Sequence, residues 1–248
     1  HDHFKSFKHF WVPIRFHFHP KNVFNRLNSL YKVLMQNKHN SKTKIWDLSL
    51  RLFHIFLILL IIGSIASAKL NILEIHQFFG VSLLGLISFR ILWGFIGTNY
   101  SRFKTFNLSI REALNQFSNK KNNDGYIIKT PLGSYSTIMF ILVLVILSIS
   151  GLFSSDDILY DGPLAYLTPK YTSYWVKIHD YSHYILYFLI SVHILAILYY
   201  QKIKKYNLIQ RMFGFYFKID QNISTPKNEK PLKGLLILLL FTIMPVLF

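Results

Sequence analysis

The sequence predicts an all-α membrane protein: a four-helix transmembrane bundle followed by a fifth, shorter C-terminal transmembrane helix. Three observations lead there. Hydrophobic residues make up 52% of the 248 and gather into runs of membrane length. Lysine and arginine, which bring the net charge to +17, lie almost entirely in segments on one side of those runs. Histidines recur inside the runs at two matched depths.

Taken in order, residues 1–44 are rich in His, Phe, Lys and Asn, with no run long enough to span and no helical period. They lack the compact apolar core and small-residue cleavage site of a signal peptide. Met35 opens a short polar lead, Met35-Gln36-Asn37-Lys38-His39, and translation is expected to start there. The alternative is a basic arm lying on anionic lipid through residues such as Trp11, Arg15 and Phe16. Crossing a hydrocarbon layer of about 30 Å takes about 20 helical residues. The runs 45–68, 75–97, 132–153 and 175–200 meet that length, and 232–248 is shorter. They are continuously apolar rather than alternating, which selects helices over barrel strands. The domain plan is therefore an N-terminal extension (1–44), a four-helix domain (45–214), a linker (215–231) and the last span (232–248).

Charge orients the bundle. With the N-terminus on side A, the chain through Arg51 carries ten Lys/Arg, 98–134 six and 201–231 seven, whereas the side B loops carry two, Lys69 and Lys170. This bias makes side A the cytoplasm, in a multi-pass protein whose last span ends outside. The acids Glu74, Asp156, Asp157 and Asp161 lean to side B. Charge placed this way argues for lipid contact and against a nucleic-acid partner. With no cysteine in the chain, disulfides, thiolate iron–sulfur ligation and covalent haem attachment are excluded. Histidine is the strongest metal ligand left.

Imidazole at bilayer depth is costly unless it faces the protein interior and is paired or ligated. His179 and His193 on the fourth span are fourteen residues apart, roughly 21 Å and within about 40° of one face. His54 on the first span matches the depth of His193, near side A. His76, almost the first residue of the second span, matches His179 near side B. Facing helices that each supply one ligand are how bundles build cofactor sites. The expected pairs are His54 with His193 and His76 with His179, each holding one non-covalent bis-histidine haem. A lone histidine at a helix end is more often an interfacial hydrogen-bonding residue; the coincidence of depths carries the ligand reading. Zinc wants three or four protein ligands, so two per depth do not suit it. His183, one turn from His179, is the competitor for the outer site and ranks second, as a hydrogen-bond partner for a haem propionate. Arg90, fourteen residues after His76, and Arg51 are candidates to pair with a propionate of the cytoplasmic haem. Their alternative is snorkelling near a helix end. Glycines 63, 80, 85, 94 and 151 would let a flat macrocycle approach, although glycine also serves membrane helix packing.

The segment Ile45-Trp46-Asp47-Leu48-Ser49-Leu50-Arg51-Leu52-Phe53-His54 resembles the Trp-Asp-Leu-Pro-x-Arg-x-Phe-His opening of the bacterial cytochrome b561 and nickel-iron hydrogenase b-type cytochrome family. His76-x-x-x-Gly80, Phe89-Arg90-x-x-Trp93-Gly94, Tyr100-x-Arg102-Phe103, Pro131-Leu132-Gly133, Gly151-Leu152-Phe153 with Asp156-Asp157, Gly162-Pro163-Leu164 and Asn207-Leu208 follow in order, with the His179 to His193 spacing. Ser49 stands where the family has proline, and Lys129-Thr130 where a His-Asn pair often precedes Pro-Leu-Gly. The resemblance implies two haems b with ligands on the first, second and fourth helices. It also implies electron transfer between a quinone pool and a redox protein such as a cytochrome c or a dehydrogenase subunit. No catalytic residue is expected beyond this. Two rivals remain: a haem-free transporter or assembly protein using the histidines as a proton relay, and a membrane anchor for a periplasmic dehydrogenase or cytochrome c.

Overall fold

The computed structural model describes residues 42–43, 47–98, 101–118, 130–155, 160–205, 208–213, 217–218 and 231–242. The N-terminal extension through residue 41, most of the 215–231 linker and residues 243–248 lie outside that set. Four helices are long and apolar enough to cross a membrane: α1 (Leu48–Lys69), α2 (Leu73–Ile96), α4 (Pro131–Phe153) and α5 (Thr172–Lys202). Their ends fall within about a turn of the expected spans. Three shorter helices lie among the described residues: α3 (Ile110–Ser118), α6 (Leu208–Phe213) and α7 (Pro231–Thr242).

Local sequence starts and stops these helices. Asp47 caps α1 by accepting from the Leu50 N–H at 2.7 Å, as N-cap carboxylates do. After α1, Asn71 takes the left-handed conformation (φ 56°) that closes a tight link into α2. Ser109 caps α3, accepting from Glu112 N at 3.3 Å, and Thr130 caps α4, accepting from Gly133 N at 3.0 Å with Pro131 in the first turn. The chain after α4 turns back so that Gly162 N and Leu164 N donate to Ser154 O and Leu152 O at 2.8 and 2.9 Å. A Cβ on Gly162 would sit 2.6–2.7 Å from the carbonyl oxygens of Leu152, Gly151 and Ser154, so only glycine approaches this closely.

The close helix pairings run α1 with α2, α2 with α4, and α4 with α5. Helix α2 is central: nearly every residue from Val81 to Arg90 is buried. Leu83, Leu86, Phe89 and Trp93 meet Leu50, Phe53, Val143, Leu144 and Leu186 in one core. By contrast α5 buries only Thr172, Ser182 and Leu186, and it is held to the bundle mainly through α4.

Of the C-terminal span expected over 232–248, residues through 242 are described, as helix α7, 12 residues with about 18 Å of rise. It packs on α2 and α1, with Leu238 2% exposed in the core. A Cβ on Gly234 would collide with Ser49 Oγ and lie 2.9 Å from the Trp93 ring, so a glycine lets α7 settle onto the start of α1. Ser49, the residue in place of the family's proline, is thus the surface on which α7 rests.

Candidate functional site

At the side B end, His76 of α2 and His179 of α5 face each other with ring centroids 6.0 Å apart and planes at 88°. Each ring is fixed from behind. His76 Nδ1 lies 2.9 Å from the main-chain oxygen of Ser64 and 3.2 Å from its hydroxyl. His179 Nδ1 lies 2.9 Å from Leu147 O and 3.4 Å from Ser150 Oγ. A carbonyl oxygen only accepts, so Nδ1 of each ring carries the proton and donates. The Nε2 atoms are then left as lone-pair donors to a metal. This carbonyl-anchored arrangement is the usual support of a metal-ligating histidine. Gly151 makes room for it: a Cβ there would lie 3.0 Å from His179 Cε1. On the other wall Gly80, one turn from His76, has no atom within 4 Å of where its Cβ would be.

At the side A end, His54 of α1 and His193 of α5 lie within electrostatic reach of each other. His54 meets Phe213 of α6 edge-on at 6.5 Å, and His193 meets Phe140 of α4 at 5.4 Å. Arg90 is 5% exposed, with its guanidinium 4.8 Å over the Phe103 ring and the Asp47 carboxylate as its charged neighbour. Its Nη1 is buried with no partner among the described residues. Arg51, 7% exposed, lies three residues before His54 on α1. His183 lies tilted against Tyr184 at 4.0 Å and meets Tyr187 at 5.3 Å, so its ring is engaged along its own helix.

One residue that sequence reasoning passed over organises this end. Asp47 Oδ2 accepts from Trp93 Nε1 at 3.1 Å and from Thr98 Oγ1 at 2.6 Å, while Oδ1 caps α1. Arg102 Nε donates to Gly97 O at 2.7 Å in the same turn. Asp47 and Trp93, 46 residues apart in the chain, meet here. An aspartate just ahead of a long apolar run was its available signal, as an N-cap. At side B, Tyr160 lies beside Glu74. Burial, and then that carboxylate, pushes its hydroxyl above the ordinary phenol pKa.

The family described as prokaryotic cytochrome b561 matches residues 45–215, from the approach to α1 to just past α6. The chain belongs to that family. No curated protein and no solved structure matches it significantly. Membership makes it a multi-pass prokaryotic membrane protein that binds b-type haem and, by implication, transfers electrons.

The side B residues of this cytochrome b561 suit a haem. Two imidazoles sharing one metal ion, with bonds of about 2 Å and about 1 Å from each nitrogen to its ring centre, would have their centres about 6 Å apart. The His76 and His179 centroids are 6.0 Å apart. The open face at Gly80 leaves space beside them for a flat ring. Among the described residues no group of three or more His, Cys, Asp or Glu is placed to share a metal ion.

Proposed function

We propose that this cytochrome b561 holds two haems b, one between His76 and His179 and one between His54 and His193, and carries electrons across the bilayer. The observation that supports it most directly is the His76–His179 pair, two imidazoles 6.0 Å apart with both Nδ1 atoms given to main-chain carbonyls. When bound, each haem supplies a one-electron iron couple whose potential depends on ligation, burial and nearby charge. The protein's part is positional. Ser64 O and Leu147 O hold the two rings in the tautomer that leaves Nε2 unprotonated. Leu186 and the aliphatic core of α2 and α4 exclude water between the two levels. At side A the buried Arg90 guanidinium, with one nitrogen unpartnered, offers positive charge to a haem carboxylate beside His54, with Arg51 as a second candidate.

The expected partners are a quinone or quinol in the membrane and a haem or redox protein, a cytochrome c or a dehydrogenase subunit, at the surface. The location proposed is the bacterial inner membrane with side A in the cytoplasm, on the asymmetry of lysine and arginine. The test is a reduced-minus-oxidised spectrum of the purified full-length protein with haem counted per chain. Two haems with low-spin bis-histidine bands are expected. A colourless protein would overturn the reading and favour the proton relay.

A further inference from the structure

The side B end contains a buried hydrogen-bond donor that no described residue satisfies. Trp175, in the opening turns of α5, stacks its ring on Phe153 at the end of α4, with centroids 5.2 Å apart and planes at 29°. Its Nε1 is shielded from solvent and has no acceptor among the described residues. An indole N–H only donates, and leaving one buried and unpaired forfeits its hydration without replacement. Tryptophan at a membrane surface ordinarily turns its N–H to water. Here that route is closed, so the acceptor is a group that the described residues do not supply. Thr168, in the turn leading into α5, has a buried hydroxyl in the same condition.

Position identifies the acceptor. Trp175 precedes His179 by four residues, so it stands on nearly the same face of α5, about 6 Å nearer the side B surface. A haem carries its two carboxylates on one edge. Charged groups near the end of a bundle cost least when turned toward the water side and hydrogen-bonded. Resting on the haem reading above, we infer that Trp175 Nε1 donates a hydrogen bond to a propionate of the outer haem and raises that haem's potential. A carboxylate near the iron favours the ferric state, and a donor that draws off its charge weakens that preference. This assigns to Trp175 the outer-site role for which the sequence offered His183, which lies one turn deeper than His179.

The test is a potentiometric titration of the full-length protein followed optically, the outer haem being the one absent from His179→Ala. Trp175→Phe keeps the ring on Phe153 and removes only the N–H. The outer midpoint is expected to fall and the pH at which it begins to climb on acidification to rise, with the cytoplasmic haem unmoved. Reconstitution of apoprotein with haem dimethyl ester removes the acceptor instead, and there Trp175→Phe is expected to add no further shift. Both haems present with the outer potential and its pH profile unmoved would overturn the inference, as would an equal shift with the ester. If Trp175→Phe sheds the outer haem, affinities for haem and its ester are compared. A greater fold-loss for haem supports the inference, and equal losses overturn it. A wild-type protein without an outer haem would sink this inference together with the haem reading, whereas an unmoved variant sinks this inference alone.

Discussion

Single residues at this site act through small, fixed neighbours. His179 is held between the carbonyl of Leu147 and the bare face of Gly151, where an added methyl would press on Cε1 at 3.0 Å and Nδ1 at 3.2 Å. Gly151→Ala therefore displaces the ring from its hydrogen bond. We expect outer-haem affinity to drop on the order of 10- to 100-fold, the usual cost of disturbing a ligand's support, with the cytoplasmic haem retained. Haem titration into apoprotein reads this directly. Asp47 has a larger reach because one buried carboxylate serves Leu50 N, Trp93 Nε1 and Thr98 Oγ1 and sits beside the buried Arg90. Asp47→Ala strands those donors and leaves Arg90 without its countercharge, which is expected to cost about 3–5 kcal/mol. A lowered Tm in detergent would register it. An unchanged Tm would mean that the network contributes little.

Among the elements, α5 is the one that serves both ends. Because His179 and His193 sit at opposite depths of one helix, His193→Ala and His54→Ala are expected to remove mainly the cytoplasmic haem. His179→Ala and His76→Ala should remove mainly the outer one, read as selective loss in the difference spectrum and one haem per chain. Loss of both from either single change would show that the levels are not independent. Helix α7 has a different part. It supplies no histidine, yet it buries Leu238 in the core and rests Gly234 on Ser49. Leu238→Ala is expected to cost about 2–5 kcal/mol, seen as a lower Tm at unchanged haem content. A chain ending near Thr225 should behave likewise. If that shortened chain inserts but is haem-free, α7 belongs to the haem-binding unit.

For the whole molecule, the decisive property is sidedness, since the orientation of the bundle fixes which histidine pair lies nearer which compartment. Three of the long loops and tails are basic and the side B loops carry two cations, so topology is expected to follow the positive-inside rule. Reporter fusions after Gln116 should read cytoplasmic and fusions near Leu164 external. The reverse pattern would exchange the inner and outer haem assignments while leaving their ligand pairs intact.

The four spans and the two histidine levels were legible in the sequence because both follow from quantities the chain carries locally. Apolar length decides whether a segment crosses, and the fixed rise of an α-helix places His54, His76, His179 and His193 in depth. The rest needed the tertiary structure, because it depends on groups without a residue-type signature or on contacts far apart in the chain. The carbonyls of Ser64 and Leu147 that set the tautomers are main chain, and any residue offers one. Asp47 meets Trp93 and Thr98 across 46 and 51 residues, a convergence that no local period records. Likewise the short α7 takes its place from the gap that Gly234 leaves above Ser49. Composition sufficed to send the chain into the membrane, and packing decided which ring nitrogen of His76 and of His179 is given to a main-chain carbonyl.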